Sequence, residues 1–85
     1  MTIYVGNLSY DVTERDLKRS FGKYGEIVSA TVVTDKSTQK SQGFGYVEMS
    51  DRARSSDALR ELNDREFMGR KLMLKEIPTR GIYAP

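Results

Sequence analysis

Two short segments, about forty residues apart, alternate aromatic and aliphatic side chains, and that alternation constrains the fold more than any other feature of the chain. Ile3-Tyr4-Val5-Gly6-Asn7-Leu8 and Gln42-Gly43-Phe44-Gly45-Tyr46-Val47-Glu48-Met49 read as strands, in which successive side chains point to opposite faces of a sheet. Tyr4, Phe44 and Tyr46 then share one face, while Ile3, Val5, Val47 and Met49 share the other. The aliphatic face supplies a core. The rings are left on the side that the core does not use, and flat rings beside glycines make a surface on which bases can stack.

Eighty-five residues make one domain, and a chain of this size buries only about 60 to 65% of its unfolded surface. Such a core leaves no volume for an internal active site. Cys and His are both absent, which removes disulfides, thiolate nucleophiles, imidazole bases and nearly all zinc chemistry. Fourteen basic against twelve acidic residues give a net charge of +2, too little for a strong nonspecific grip on polyanions. Affinity for a nucleic acid must come from placed side chains. The apolar runs are too short to span a bilayer, and residues 1–20 alternate polar and apolar instead of forming a signal-peptide core. A cytoplasmic protein with no membrane partner is expected.

The first strand is expected from Thr2 to Gly6. Thr13 is a good N-cap with Asp16 three residues on, and Val12 and Leu17 sit where a hydrophobic staple closes. Leu17, Phe21 and Tyr24 recur at i, i+4 and i+7, and Gly25 is expected to end this helix. Ile27 to Thr34 is rich in β-branched residues, with Val28, Ala30 and Val32 on one face. A polar loop from Asp35 to Gln42 leads to a third strand at about Gly43 to Met49. Ser50 or Asp51 caps a second helix carrying Ser55, Ala58, Leu59 and Leu62, which Asn63-Asp64 breaks. The last strand is expected from Lys71 to Ile77, with Leu72 and Leu74 facing in and Lys71, Met73 and Lys75 facing out, and Pro78 stops it.

This order is βαββαβ, and a right-handed crossover leaves a gap between strands one and two that strand three fills. The expected fold is an α+β, ferredoxin-like sandwich: a four-stranded antiparallel sheet in the order 4-1-3-2, with two helices on one face. Residues 1–78 form the domain and residues 79–85 a short tail.

The two aromatic segments resemble the RNP2 and RNP1 motifs of the RNA-recognition motif (RRM) family, over about residues 2 to 77. RNP1 is written K/R-G-F/Y-G/A-F-V-x-F/Y; here Tyr46 stands for the second Phe, Gln42 replaces the basic residue and Met49 the final aromatic. The chain also looks similar to short single-RRM proteins of bacteria, and with Met1 one residue before the first strand it is expected to be complete or nearly so. The resemblance implies binding of single-stranded RNA on the sheet by a monomer, with single-stranded DNA as a substitute in vitro, and without catalysis, cofactor or metal. Tyr4 and Tyr46 would stack on successive bases and Phe44 would pack against the sugars between them, with Tyr46 largely exposed. Asn7, Lys40, Gln42, Lys71, Met73, Lys75 and Arg80 complete the expected RNA-binding set. An amide at position 42 brings no charge, which implies weaker and less salt-sensitive binding.

Several features have plainer readings. Gly45, facing inward, makes room for helix packing. Arg65-Glu66-Phe67 matches an Arg-x-Phe motif that binds a Trp-containing peptide in a protein-binding subset of RRM-like domains; alternatively, Phe67 plugs the edge of the core and Arg65 is solvated. Arg15, Lys18, Arg19 and Lys23 form a basic helix face interleaved with Glu14 and Asp16, a pattern usual for solvated surfaces. An acylphosphatase-like enzyme could share the topology, but the Gly6-Asn7 turn supplies no convincing anion cradle. The tail, with Ile82 and Tyr83, would either shield the rings, clamp RNA, or serve only as an end.

Overall fold

The computed structural model describes residues 2–77; Arg80 and the tail lie outside them. The elements are β1 (Thr2–Gly6), α1 (Glu14–Phe21), β2 (Ile27–Thr34), β3 (Ser41–Met49), α2 (Arg52–Leu62), β4 (Glu66–Phe67), β5 (Arg70–Lys71) and β6 (Met73–Ile77). One antiparallel sheet runs β2-β3-β1-β6, and β4 and β5 pair separately. With β6 counted as the fourth strand, this is the expected ferredoxin-like order. Among the described residues, no helix is long and apolar enough to cross a membrane.

α1 starts as its sequence dictates. The Thr13 N–H donates to Asp16 Oδ2 at 2.9 Å, and the Asp16 N–H donates to Thr13 Oγ1 at 3.3 Å, a reciprocal capping box. Glu14 and Asp16 in the first turn and Lys18 and Arg19 in the last complement the helix dipole. The helix ends a turn earlier than Gly25, at Gly22, whose N–H reaches the Lys18 carbonyl at 2.8 Å. Tyr24 therefore packs on the core from a turn, a position that helical spacing alone does not distinguish from a further helical residue. Gly25 serves α2 instead: a Cβ there would lie 2.9 Å from Arg54 Cβ.

β2 departs from simple alternation. Val28 is 57% exposed, whereas Ala30 and Val32 are buried. A register shift between Ile27 and Ser29 inserts a bulge, and Val28 loses its place on the inner face. The expected last strand is also divided. Met68 and Gly69, both at positive φ, form the two-residue turn of the β4–β5 hairpin before β6 begins at Met73. Leu72 and Leu74 still face in, and Lys71, Met73 and Lys75 still face out.

The core lies between the sheet and the helices. Ile3, Val5, Val47 and Met49 meet Leu17 and Phe21 of α1 and Ala58 of α2, all essentially without solvent contact. Burying a large apolar side chain of this kind contributes roughly 1.5–3 kcal/mol. Side chains satisfy backbone donors on both outer strands. Glu14 Oε2 accepts from the Val32 N–H at 3.2 Å on β2, and Asn63 Oδ1 accepts from the Leu74 N–H at 2.9 Å on β6.

Candidate nucleic-acid interface

The sheet register brings Thr31, Tyr46, Tyr4 and Lys75 into one row across four strands. Phe44 lies two residues from Tyr46, so the three rings meet on the face that the helices leave uncovered. Ring centroids are 5.9 Å apart for Tyr4–Phe44, 5.9 Å for Tyr4–Tyr46 and 6.1 Å for Phe44–Tyr46. Their planes are inclined by 33°, 64° and 88°, tilted and edge-to-face arrangements favoured by aromatic quadrupoles. Each ring is partly buried by this packing. Tyr46 is thus less exposed than a ring standing alone, which corrects the expectation of a largely exposed side chain.

Two glycines set the floor. A Cβ on Gly6 would lie 2.8 Å from Tyr4 Cε1 and 2.9 Å from its hydroxyl, so the ring rests where a side chain would stand. Gly45 serves the sheet, not the helices: a Cβ there would come within 2.2 Å of the Thr31 carbonyl oxygen on β2.

The polar residues divide. Lys75 stands directly across from Tyr4, and Met73 and Lys71 are exposed nearby in sequence. Tyr4, Gly6, Met73 and Lys75 line a cleft of about 390 Å³ together with Asn7, Asn63 and Asp64. Asn7 has φ +57, a left-handed conformation that Asn tolerates. Its Nδ2 donates to the Lys71 carbonyl at 2.7 Å, so one of its two side-chain N–H donors is structural. Gln42 is also engaged: its Nε2 donates to Asp35 Oδ2 at 3.4 Å. The other Asp35 oxygen accepts from the Ser37 and Thr38 N–H groups at 2.7 and 3.0 Å. These backbone bonds, chiefly that from Thr38, hold the Asp35 carboxyl below its ordinary range. Lys40 is exposed at the end of this loop.

Two features escaped sequence reasoning. Tyr10 is 69% exposed and, in a loop without periodicity, carries no strand signal. Asn63 and Asp64 read only as helix breakers, yet they line the cleft beside Tyr4. Phe67 packs against the core while Arg65 is exposed, the arrangement of an edge plug with a solvated neighbour.

The RNA recognition motif family model matches residues 3–73, and the chain belongs to that family. It is 46% identical over 80 residues to RbpD of Nostoc sp., a cyanobacterial protein named for RNA binding, covering 94% of this chain and 85% of the relative. The crystal structure of RNA binding protein PG1 is similar at 51% identity and a TM-score of 0.87, with 92% of this chain and 98% of that one covered. The RNA15 RRM with bound RNA (GU) is similar at 26% identity and a TM-score of 0.80, over 89% of this chain and 81% of that one.

Proposed function

We propose that this protein binds single-stranded RNA on the open face of its sheet and catalyses no reaction. One observation carries the reading: Tyr4, Phe44 and Tyr46 are in mutual contact on the face that the core leaves free. Tyr4 and Tyr46 stack on successive bases, and Phe44 packs against the sugars between them. Lys75 beside Tyr4, together with Lys71 and Lys40, meets phosphates, and Met73 covers the outer side of the first base. Asn7 and Gln42 contribute only the polar atoms that their internal bonds leave over. Relatives named for RNA binding and the RNA-bound RNA15 domain support the same reading. Each stack is worth roughly 1 to 3 kcal/mol, so two stacks and a wedge suit a micromolar-class site, where 1 μM corresponds to about 8 kcal/mol. Unpaired RNA is the target, because bases inside a duplex offer no free face.

The test is a titration of labelled protein with random and homopolymer RNA oligonucleotides, followed by backbone amide shifts. Shifts centred on β1 and β3 are expected. Shifts confined to α1 or to the β4–β5 hairpin would sink the platform reading, as would equal binding by a Tyr4→Ala, Tyr46→Ala double variant.

A further inference from the structure

Tyr10 presents an aromatic ring that neither the core nor the three-ring platform uses. It is 69% exposed in the loop between β1 and α1. That ring lies against Gly43. With φ +86, Gly43 adopts a conformation that other residues rarely take, and a Cβ there would lie only 3.3 Å from Tyr10 Cε1. The Leu8 N–H donates to the Gly43 carbonyl at 2.9 Å, which pins the loop to the start of β3 immediately before Phe44. A placed ring is thus left in water. It lines a cleft of about 610 Å³ with Asp11, Gln39, Lys40, Ser41 and Gln42.

We infer that this cleft is a further nucleotide site, in which a base beyond the platform stacks on Tyr10. The inference rests on the platform reading, because the occupant is the next part of the same RNA strand. A strand leaving the platform past Phe44 reaches Gln42 within two residues of β3, roughly 7 Å. There it finds an aromatic face, a lysine for its phosphate and side-chain amides for a base edge. Such a contact needs no net positive charge, since stacking is available to every base. Asp11, the one acidic member of the wall, can accept from base N–H groups or ribose 2′-hydroxyls and disfavours a phosphate at that end of the cleft.

The test compares Tyr10→Ala, Tyr10→Leu and Tyr10→Phe on a random-sequence RNA trinucleotide and octanucleotide. The trinucleotide fills the platform alone; the octanucleotide spans both sites. Tyr10→Ala and Tyr10→Leu should each weaken octanucleotide binding by about fivefold or more, the lower end of a stacking contribution, and leave trinucleotide binding as it is. Tyr10→Phe should bind both like the parent. In the parent, the amides of Lys40, Gln42 and Gly43 should shift further with the octanucleotide than with the trinucleotide. Tyr10→Leu retains apolar bulk against Gly43, so a loss seen with Ala but not with Leu would mean packing, not stacking, and overturn the inference. Unchanged octanucleotide binding, or an equal loss on both lengths, would overturn it too. If the platform reading itself is wrong, Tyr46→Ala will leave trinucleotide binding intact, whereas failure of the Tyr10 inference alone leaves the Tyr46→Ala loss on the trinucleotide in place.

Discussion

Gly6 lies under the ring of Tyr4: the space a Cβ would take is 2.8 Å from Tyr4 Cε1. A side chain at position 6 must lift or swing the ring off the sheet. Because the obstacle is a rotatable side chain, Gly6→Ala should cost the fold only about 1 kcal/mol yet lower RNA affinity by about 1 kcal/mol, close to fivefold. Gly45→Ala should behave oppositely. Its Cβ would meet the Thr31 carbonyl, part of the backbone, at 2.2 Å, and overpacking that cannot relax costs 1–3 kcal/mol or more. Urea unfolding and RNA titration on both variants separate the two effects; equal stability losses would refute the distinction.

Tyr46→Ala removes a ring that packs against Tyr4 and Phe44 and that the proposed RNA-binding function uses as a stacking surface. Aromatic pairs contribute about 0.5–1.5 kcal/mol beyond their burial. We expect a stability loss of about 1–2 kcal/mol and an RNA-affinity loss of about 1–3 kcal/mol. Retention of full RNA affinity would remove Tyr46 from the binding surface.

The strands that carry the rings were legible in the sequence because alternation has a two-residue period and both faces were chemically distinct. Thr13 and Asp16 were legible because a capping box is local. Val28, Tyr24 and the β4–β5 hairpin were not. A bulge leaves no mark on a run of β-branched residues, an apolar residue one turn past a helix keeps the helical spacing, and Met68-Gly69 lacks the usual Asn-Gly of such a turn. The cleft residues Tyr10, Asn63 and Asp64 were hidden for a related reason: loops bring them to the sheet, and loops have no period. Gln42 was legible as a departure from the motif, but its bond to Asp35 depends on the path of the loop.

Salt dependence should be shallow. Lys40, Lys71 and Lys75 are the described cations assigned to phosphate, and about 0.7 per contact for a single strand gives a slope of log K against log salt near −2. Gln42→Arg should steepen it by less than one contact's ~0.7, because the Asp35 carboxylate is already the partner of that side chain. Steepening by a full unit would show position 42 on phosphate and free of Asp35.

Acid should loosen the β2–β3 loop. Hydrogen bonds from the Thr38 and Ser37 N–H groups to Asp35 lower its pKa beneath the ordinary aspartate value of 3.8. A depressed folded-state pKa means stability that is fully present above 3.8 and lost as pH falls through the lower, folded value. Asp16, held down by the Thr13 N–H and hydroxyl, adds to the same trend at α1. The Ser37 and Thr38 amide shifts should therefore stay constant from about pH 7 to 5 and titrate with a midpoint beneath 3.8. A midpoint at or above that value would mean that the bonds do not form in solution.

Asn63 holds the outer strand that flanks the platform. Its Oδ1 accepts the Leu74 N–H at 2.9 Å, and β6 carries Met73 and Lys75 on the open face beside Tyr4. Asn63 ends α2 with φ −63° and ψ 134°, an extended conformation with no need for glycine, so the side-chain acceptor is the reason for Asn here. Asn63→Ala leaves a part-buried donor without its partner and should cost about 1–3 kcal/mol. Asn63→Asp keeps the acceptor and should cost less than half as much. RNA affinity should fall with Asn63→Ala because Lys75 and Met73 lose their fixed height beside Tyr4, and recover with Asn63→Asp. Thermal unfolding, protection of the Leu74 amide from hydrogen exchange and RNA titration test this together. An Asp variant as unstable and as weakly binding as the Ala variant would show that the acceptor is not what Asn63 supplies.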